Sequence, residues 1–132
     1  MDNPDVYTLA ALQISAAQNA ILTAIKSLDG MTAVSLEAVF QYGSGGTTCA
    51  AIVMTTFDGG TTWRHVARFD FTTASAAKVA NLSGLLSKAV TVYADLNSEG
   101  VNDGILGDQL AVRLISTGTY AGTTLSVRAS VR

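Results

Sequence analysis

A two-residue alternation of apolar and polar side chains dominates the chain from about residue 31 onward. Near its start, apolar or aromatic residues occupy every second position: Val34, Leu36, Ala38, Phe40 and Tyr42. The C-terminal residues repeat the pattern with Leu125, Val127, Ala129 and Val131. Because successive side chains of a strand point to opposite faces, the alternation predicts strands that each bury one face.

Turn sequences separate further segments of this kind. Glycine-rich turns lie at 43–46, 58–60 and 117–122. Between them lie a strand-like segment at 47–56, which contains the continuous apolar run 49–54, and alternating segments at 63–71 and 110–115. At least six short strands at this spacing predict an antiparallel β-sandwich that is jelly-roll-like.

The middle of the chain is less regular. Residues 74–82 fit either a short helical turn or a crossover loop, and the β-branched run 89–93 indicates another strand. The stretch 95–108 is rich in Asp, Asn and Gly, which predicts a long loop.

The first 28 residues show a helical spacing instead. Apolar or small residues follow one another at intervals of three and four: Tyr7, Ala10, Ile14, Ala17, Ile21, Ala24 and Leu28. On a helix these side chains form one stripe, which a coiled-coil partner, the chain's own sheet or a neighbouring subunit could cover. Pro4 and Asp5 favour a helix start, and Asp29-Gly30 favours its end. We therefore expect an N-terminal α-helix or arm over residues 1–30, followed by a β-sandwich domain over 31–132.

The segment 56–63 resembles the Asp-box, whose pattern is Ser/Thr-x-Asp-x-Gly-x-Thr-Trp. The five defined positions are filled by Thr56, Asp58, Gly60, Thr62 and Trp63. The resemblance implies a β-hairpin in which the Asp caps turn amides and the Trp packs underneath, away from any catalytic centre. A short carboxylate and flexible glycines suit such a turn. The motif therefore predicts a structural hairpin, with direct sugar binding as the alternative.

Composition and residue counts exclude several classes of function. The charged fraction is 14% and the net charge is −2, which argues against nucleic acid as a partner. A single cysteine and a single histidine allow no internal disulfide and no zinc site of ordinary spacing. The stretch 9–28 is rich in Ala, Leu and Ile, but it contains too many polar residues to cross a membrane. With no nucleophile paired to a base, we expect no enzyme activity, no catalytic residue and no cofactor.

One loop resembles the start of an EF-hand. Asp95, Asn97 and Glu99 alternate before Gly100, but Leu106 occupies the position where that loop needs a bidentate carboxylate. A solvated loop that packs on a partner is favoured over an irregular calcium site.

A longer pattern spans residues 36–132. It includes Gly-Ser-Gly-Gly-Thr-Thr at 43–48, the hairpin motif at 56–63, Gly-Asp-Gln-Leu-Ala-Val-Arg at 107–113 and Ser-Thr-Gly-Thr-Tyr-Ala-Gly-Thr-Thr-Leu-Ser-Val-Arg at 116–128. This pattern resembles a group of small virion structural proteins of tailed bacteriophages and prophages. A charge-poor chain rich in Ser, Thr and Gly also suits a subunit of a symmetric assembly.

The resemblance implies a protein made in the host cytoplasm and located in the virion. Its leading function is that of a capsid cement or decoration subunit that stabilises the head. Its partners would be the major capsid protein or other virion proteins, and it would form a homo-oligomer, either a trimer or a ring. The alternatives are a neck or tail component, such as a connector, terminator or tail-associated protein, and a carbohydrate-binding adsorption module.

Overall fold

The structure is a computed structural model that describes residues 4–132. Within that range the chain forms eleven strands and no helix. The prediction of a mainly β, antiparallel chain is confirmed, and the prediction of an N-terminal helix is wrong. No segment of 4–132 is a helix that could span a membrane.

The strands lie in two principal sheets and one short ribbon. They are β1 (Asp5–Ile14), β2 (Gln18–Ile21), β3 (Ala33–Gln41), β4 (Ser44–Gly45), β5 (Thr48–Thr56), β6 (Trp63–Phe71), β7 (Ala76–Ser83), β8 (Gly100–Val101), β9 (Leu110–Thr117), β10 (Tyr120–Ala121) and β11 (Thr123–Val131). The four-stranded sheet has the order β1-β11-β3-β7, and the five-stranded sheet has the order β2-β9-β5-β6-β8. Strands β10 and β4 form the ribbon.

The inner faces of the two sheets share one hydrophobic core. Phe40 of the four-stranded sheet stacks on Phe71 of the five-stranded sheet, with ring centroids 4.9 Å apart. Tyr120 meets Phe40 edge-on at 5.8 Å, and its hydroxyl donates to the carbonyl oxygen of Thr72 at 2.7 Å. This aromatic cluster joins the sheets, and the tyrosine hydroxyl keeps a hydrogen bond despite its burial.

A β-bulge explains why β1 imitates a helix in the sequence. The register with β11 shifts between Thr8 and Ala10, so that Tyr7 and Ala10 pair with residues of β11 that face the core. An extra residue in a strand turns the expected spacing of two into three. Ile14 follows four residues after Ala10 on the same side. The resulting three-four spacing belongs to a bulged strand.

The predicted stripe is therefore divided between different environments. Ala10, Ile14 and Leu28 are buried, Tyr7 and Ala24 are half-buried, and Ala17 and Ile21 are exposed. The chain crosses at residues 15–17 from the four-stranded sheet to the five-stranded sheet, where β2 pairs with β9. The predicted boundary at residue 30 falls in a turn at 29–30, and residues 1–3 of the predicted arm lie outside the described part of the chain.

The irregular middle of the chain contains one strand that the sequence left undecided. β7 covers most of 74–82 and pairs with β3 at the edge of the four-stranded sheet. Its alternate small residues gave only a weak strand signal, because alanine favours strands little. In contrast, the run 89–93 forms no strand in the described structure.

Strand β5 is buried on both faces. Cys49, Ala51 and Val53 belong to the shared core, whereas Ile52 and Met54 lie on the opposite side and are still only 1% exposed. Burial raises the pKa of the Cys49 thiol to about 11, so this cysteine is an inert core residue. Something must therefore cover the outer face of the five-stranded sheet.

Candidate functional site

The β5–β6 connection has its own hydrogen-bond network. The Thr56 hydroxyl donates to Asp58 Oδ1 at 2.8 Å and accepts from the Gly60 N–H at 3.0 Å. Asp58 Oδ1 also accepts from the Thr62 N–H at 2.8 Å, and this bond leads the contacts with Thr62 and Thr56 that lower the pKa of Asp58. A carboxylate that accepts several hydrogen bonds is stabilised in its charged form.

The glycines of this turn have backbone conformations that other residues rarely adopt. Gly59 and Gly60 have φ values of 71° and 97°. A Cβ atom at Gly60 would lie 3.6 Å from the Trp63 ring, which places the indole directly beside the turn. The hairpin turn is thus stabilised by its own side-chain hydrogen bonds and by the adjacent Trp63 ring.

A second β-bulge turns Trp63 and His65 to the outer face. The sequence alternation predicts that they share a face with Ala67 and the phenylalanines of β6. However, Val53 pairs with Ala67 while Met54 pairs with His65, so Val66 is an extra residue. Val66 and Ala67 both enter the core, whereas Trp63 and His65, before the bulge, face outward on the same side as Met54.

His65 holds the long connection 84–99 against this outer face. Its Nδ1 accepts from the Leu96 N–H at 3.1 Å, and its backbone N–H donates to the Tyr93 hydroxyl at 2.6 Å. Arg68 adds a bond from Nη1 to the Leu96 carbonyl at 2.9 Å, and the Arg64 guanidinium lies 4.7 Å from the Tyr93 ring centroid. These contacts fix residues 93–96 on the sheet.

Burial lowers the pKa of His65. Asp95, whose Oδ1 lies 3.8 Å from Nε2, opposes the shift, while Arg113 and Arg68 reinforce it. Because Nδ1 accepts a hydrogen bond, the ring holds the loop in its neutral form.

In the loop 95–108, which contains the EF-hand-like pattern, Glu99 and Asp103 bind different protein groups. Glu99 accepts from Lys78 Nζ at 2.6 Å and from the Asp70 N–H at 3.0 Å. Asp103 Oδ1 accepts from the Ser83 N–H at 2.6 Å. In residues 4–132 no group of three or more His, Cys, Asp or Glu side chains could hold a metal ion.

The covered face retains an open groove of about 570 Å³. Trp63, Arg113, Ile21 and Ile115 line its sides, and residues 95–97 form one rim. Ile52 and Met54 lie beneath it and are only 1% exposed. Arg113 Nη1 donates to Asn19 Oδ1 at 2.8 Å. No sequence motif marks this site, because its members come from five separate parts of the chain. The one available signal was the continuous apolar run of β5, which predicts a strand covered on both faces.

The first half of the connection 84–99 exposes its apolar side chains, whereas residues 93–96 are held against the sheet. Residues 85–92 form no strand, and they carry large exposed apolar side chains: Leu85 at 77%, Leu86 at 54%, Val90 at 105% and Val92 at 92%. Both ends of this exposed segment are fixed. Gly84 N–H donates to the Thr32 carbonyl at 2.7 Å, and Tyr93 binds His65.

Comparisons with known proteins add no relative to this description. No protein-family model matches the chain, and no curated protein or solved structure matches it at a significant level.

Proposed function

We propose that the chain is a virion structural protein of a tailed bacteriophage, a cement or decoration subunit that stabilises the head. It acts through buried surface, with the major capsid protein or other virion proteins and further copies of itself as partners. The observation that carries the proposal is the exposed segment 85–92.

This segment has the properties of a surface that another chain covers. Soluble monomers rarely expose large contiguous apolar patches, and such patches mark interaction sites. Val90 and Val92 are fully exposed although both ends of the segment are held by hydrogen bonds. An apolar segment fixed at both ends is presented to a partner at little further cost in conformational entropy.

The strand order supports a jelly roll. When the two-residue strands β4, β8 and β10 are set aside, eight strands remain. In chain order they pair first-eighth-third-sixth in one sheet and second-seventh-fourth-fifth in the other. Jelly rolls with two such sheets occur in viral capsid and lectin domains. Because one fold serves many functions, the exposed segment carries more weight than the strand order.

The position in the virion is tested by the copy number of the protein in purified particles. A number that follows the capsomers of the shell supports the cement role. A number equal to that of a single ring favours the alternative of a neck or tail component. Absence from the particle would contradict the proposal.

The role of the exposed segment is tested by a double variant, Val90→Asp with Val92→Asp. Both side chains contact solvent in the isolated chain, so we expect the thermal melting of the subunit to be unchanged. Two buried carboxylates at an interface would prevent assembly. We therefore expect loss of particle binding and of the oligomer in size-exclusion chromatography.

The matched control is Val79→Asp. Val79 is also exposed, at 75%, but it lies on β7 at the edge of the four-stranded sheet, outside segment 85–92. Assembly should survive this change. If the control disrupts assembly as strongly as the double variant, or if the double variant assembles normally, segment 85–92 is not the interface.

A further inference from the structure

The groove on the five-stranded sheet contains hydrogen-bond donors that no described residue uses. Arg113 bonds Asn19 through Nη1 alone, which leaves its Nε and Nη2 without an acceptor among residues 4–132. In the same range, the side chains of Trp63 and Asn97 line the groove and donate no hydrogen bond to another protein group. These donors are accessible to solvent, because no buried side-chain nitrogen or oxygen of residues 4–132 lacks a hydrogen-bond partner. Accessible donors that line one groove suit an acceptor-rich ligand.

The charges of the groove distinguish its two arginines. Arg68 is already compensated, because its Nε donates to Asp70 Oδ1 at 2.8 Å. Arg113 has no carboxylate within ion-pair distance in the described structure. A guanidinium with two free donors suits a carboxylate, which it can bind in a planar, bidentate manner.

The remaining surface suits a polyhydroxylated ring. The exposed Ile21 and the half-buried Ile115 provide apolar surface, and the half-buried Trp63 adds an aromatic ring. The Asp95 side chain is 63% exposed on the rim and offers oxygens to hydroxyl donors. Its charge also disfavours a ligand with several anionic groups. The volume of about 570 Å³ lies within the range of small-ligand sites.

We propose that this groove binds an acidic saccharide with one carboxylate, which pairs with Arg113 while the sugar ring packs on Trp63 and the apolar side chains of Ile21 and Ile115. The proposal does not depend on the virion role. It specifies, for a site on the outer sheet face, the sugar class that a carbohydrate-binding module of this shape would take.

The chain provides its own reporter for this proposal. Trp63 is the only tryptophan, so tryptophan fluorescence and the indole N–H signal in NMR come from a side chain that lines the groove. The probes are methyl glucuronide and methyl glucoside, which differ in the carboxylate. We expect a saturable change with the glucuronide that weakens as salt increases. The glucoside should bind at least about tenfold more weakly, since a charge-assisted bidentate pair is lost.

Two groove variants and one control variant test the placement of the ligand. Arg113→Gln should weaken glucuronide binding by about tenfold or more. The control Arg128→Gln lies on the exposed side of β11 in the other sheet and should leave binding unchanged. Because Arg113 is half-buried, thermal melting must show that its variant folds. Asn97→Ala, at an exposed position, supplies a second groove variant that should also weaken binding.

Three results would overturn the proposal: no saturable response to the glucuronide, equal affinity for both sugars, or equal loss in the Arg128 control. The measurements use the isolated protein without any particle. A negative result for saccharide binding therefore does not contradict the virion proposal. Loss of particle binding likewise does not contradict the saccharide site.

Discussion

Strands β3 and β5 occupy interior positions in their respective sheets, and both contain nine residues. In β3, buried residues alternate with exposed or half-buried ones, because its outer face meets solvent. In β5, every residue after Thr48 is buried. Alternation therefore identifies a sheet with one bare face, and a continuous apolar run identifies a sheet covered on both faces.

The cover over β5 gives the two sheets different roles. Residues 93–96 and the side chains around Arg113 lie over Ile52, and the incomplete cover leaves the groove. Among residues 4–132, no segment covers the outer face of β3 in this way. Its outer face presents Ser35, Glu37 and Gln41. The difference in cover between the two sheets can be tested by substitutions in both strands.

The largest expected effect is at the core shared by both strands. Phe40→Ala removes a ring that stacks on Phe71 and contacts Tyr120, and it leaves a cavity between the sheets. The free energy of unfolding should fall by about 3–5 kcal/mol. Urea denaturation followed by fluorescence measures the change. A loss below about 1 kcal/mol would mean that the sheets do not share this cluster.

The next largest effect is a difference in unfolding free energy between substitutions on the outer faces of β5 and β3. Ile52→Ala should lower the free energy of unfolding by about 2–4 kcal/mol, since Ile52 is 1% exposed on the covered face. Val39→Ala, on the bare face of β3, should cost less than about 1 kcal/mol. Equal costs in urea denaturation would contradict the difference between the two sheets.

A smaller, pH-dependent effect tests the cover itself. The pKa of His65 is lowered from its ordinary value of 6.5, so the unfolded chain takes up the proton first as the pH falls. The contribution of His65 is therefore complete above pH 6.5 and is lost as the pH falls through the lowered pKa. Melting temperatures across this range should fall for the natural chain and much less for His65→Gln. Parallel profiles would show that His65 does not hold the loop.

The smallest expected effect is at the exposed hairpin. Asp58→Ala removes the acceptor of the Thr56 hydroxyl and the Thr62 N–H, whereas Asp58→Asn retains one carbonyl oxygen. Hydrogen exchange of the Thr62 amide should accelerate in the alanine variant and less in the asparagine variant. Unchanged exchange in both variants would exclude the capping role.

Much of this architecture could be predicted from sequence patterns. The wrong predictions of the N-terminal helix and of the face of His65 share one physical cause, the β-bulge. The alternation in β3 and β11 was sufficient to predict strands, and glycine-rich turns predicted their separation. Bulges at Leu9 and Val66 defeated the same reasoning, because an extra residue changes which side chains share a face. The first bulge produced a false helix, and the second placed His65 on the wrong face.

The groove could not be predicted from sequence spacing. Asn19 and Arg113 form a hydrogen bond although 94 positions separate them. Only the pairing of β2 with β9 brings them together, and strand pairing over such a distance leaves no local sequence signal. The run 89–93 shows the reverse case. Its β-branched residues indicated a strand, but the described chain contains no partner strand for it.

The most direct test of the assembly proposal is the mass of the intact protein in solution by size-exclusion chromatography with light scattering. Coverage of segment 85–92 by a second copy predicts a stable oligomer, a trimer or a larger ring, with a mass that is a multiple of 13.6 kDa. A monodisperse species of 13.6 kDa that persists at high protein concentration would contradict it.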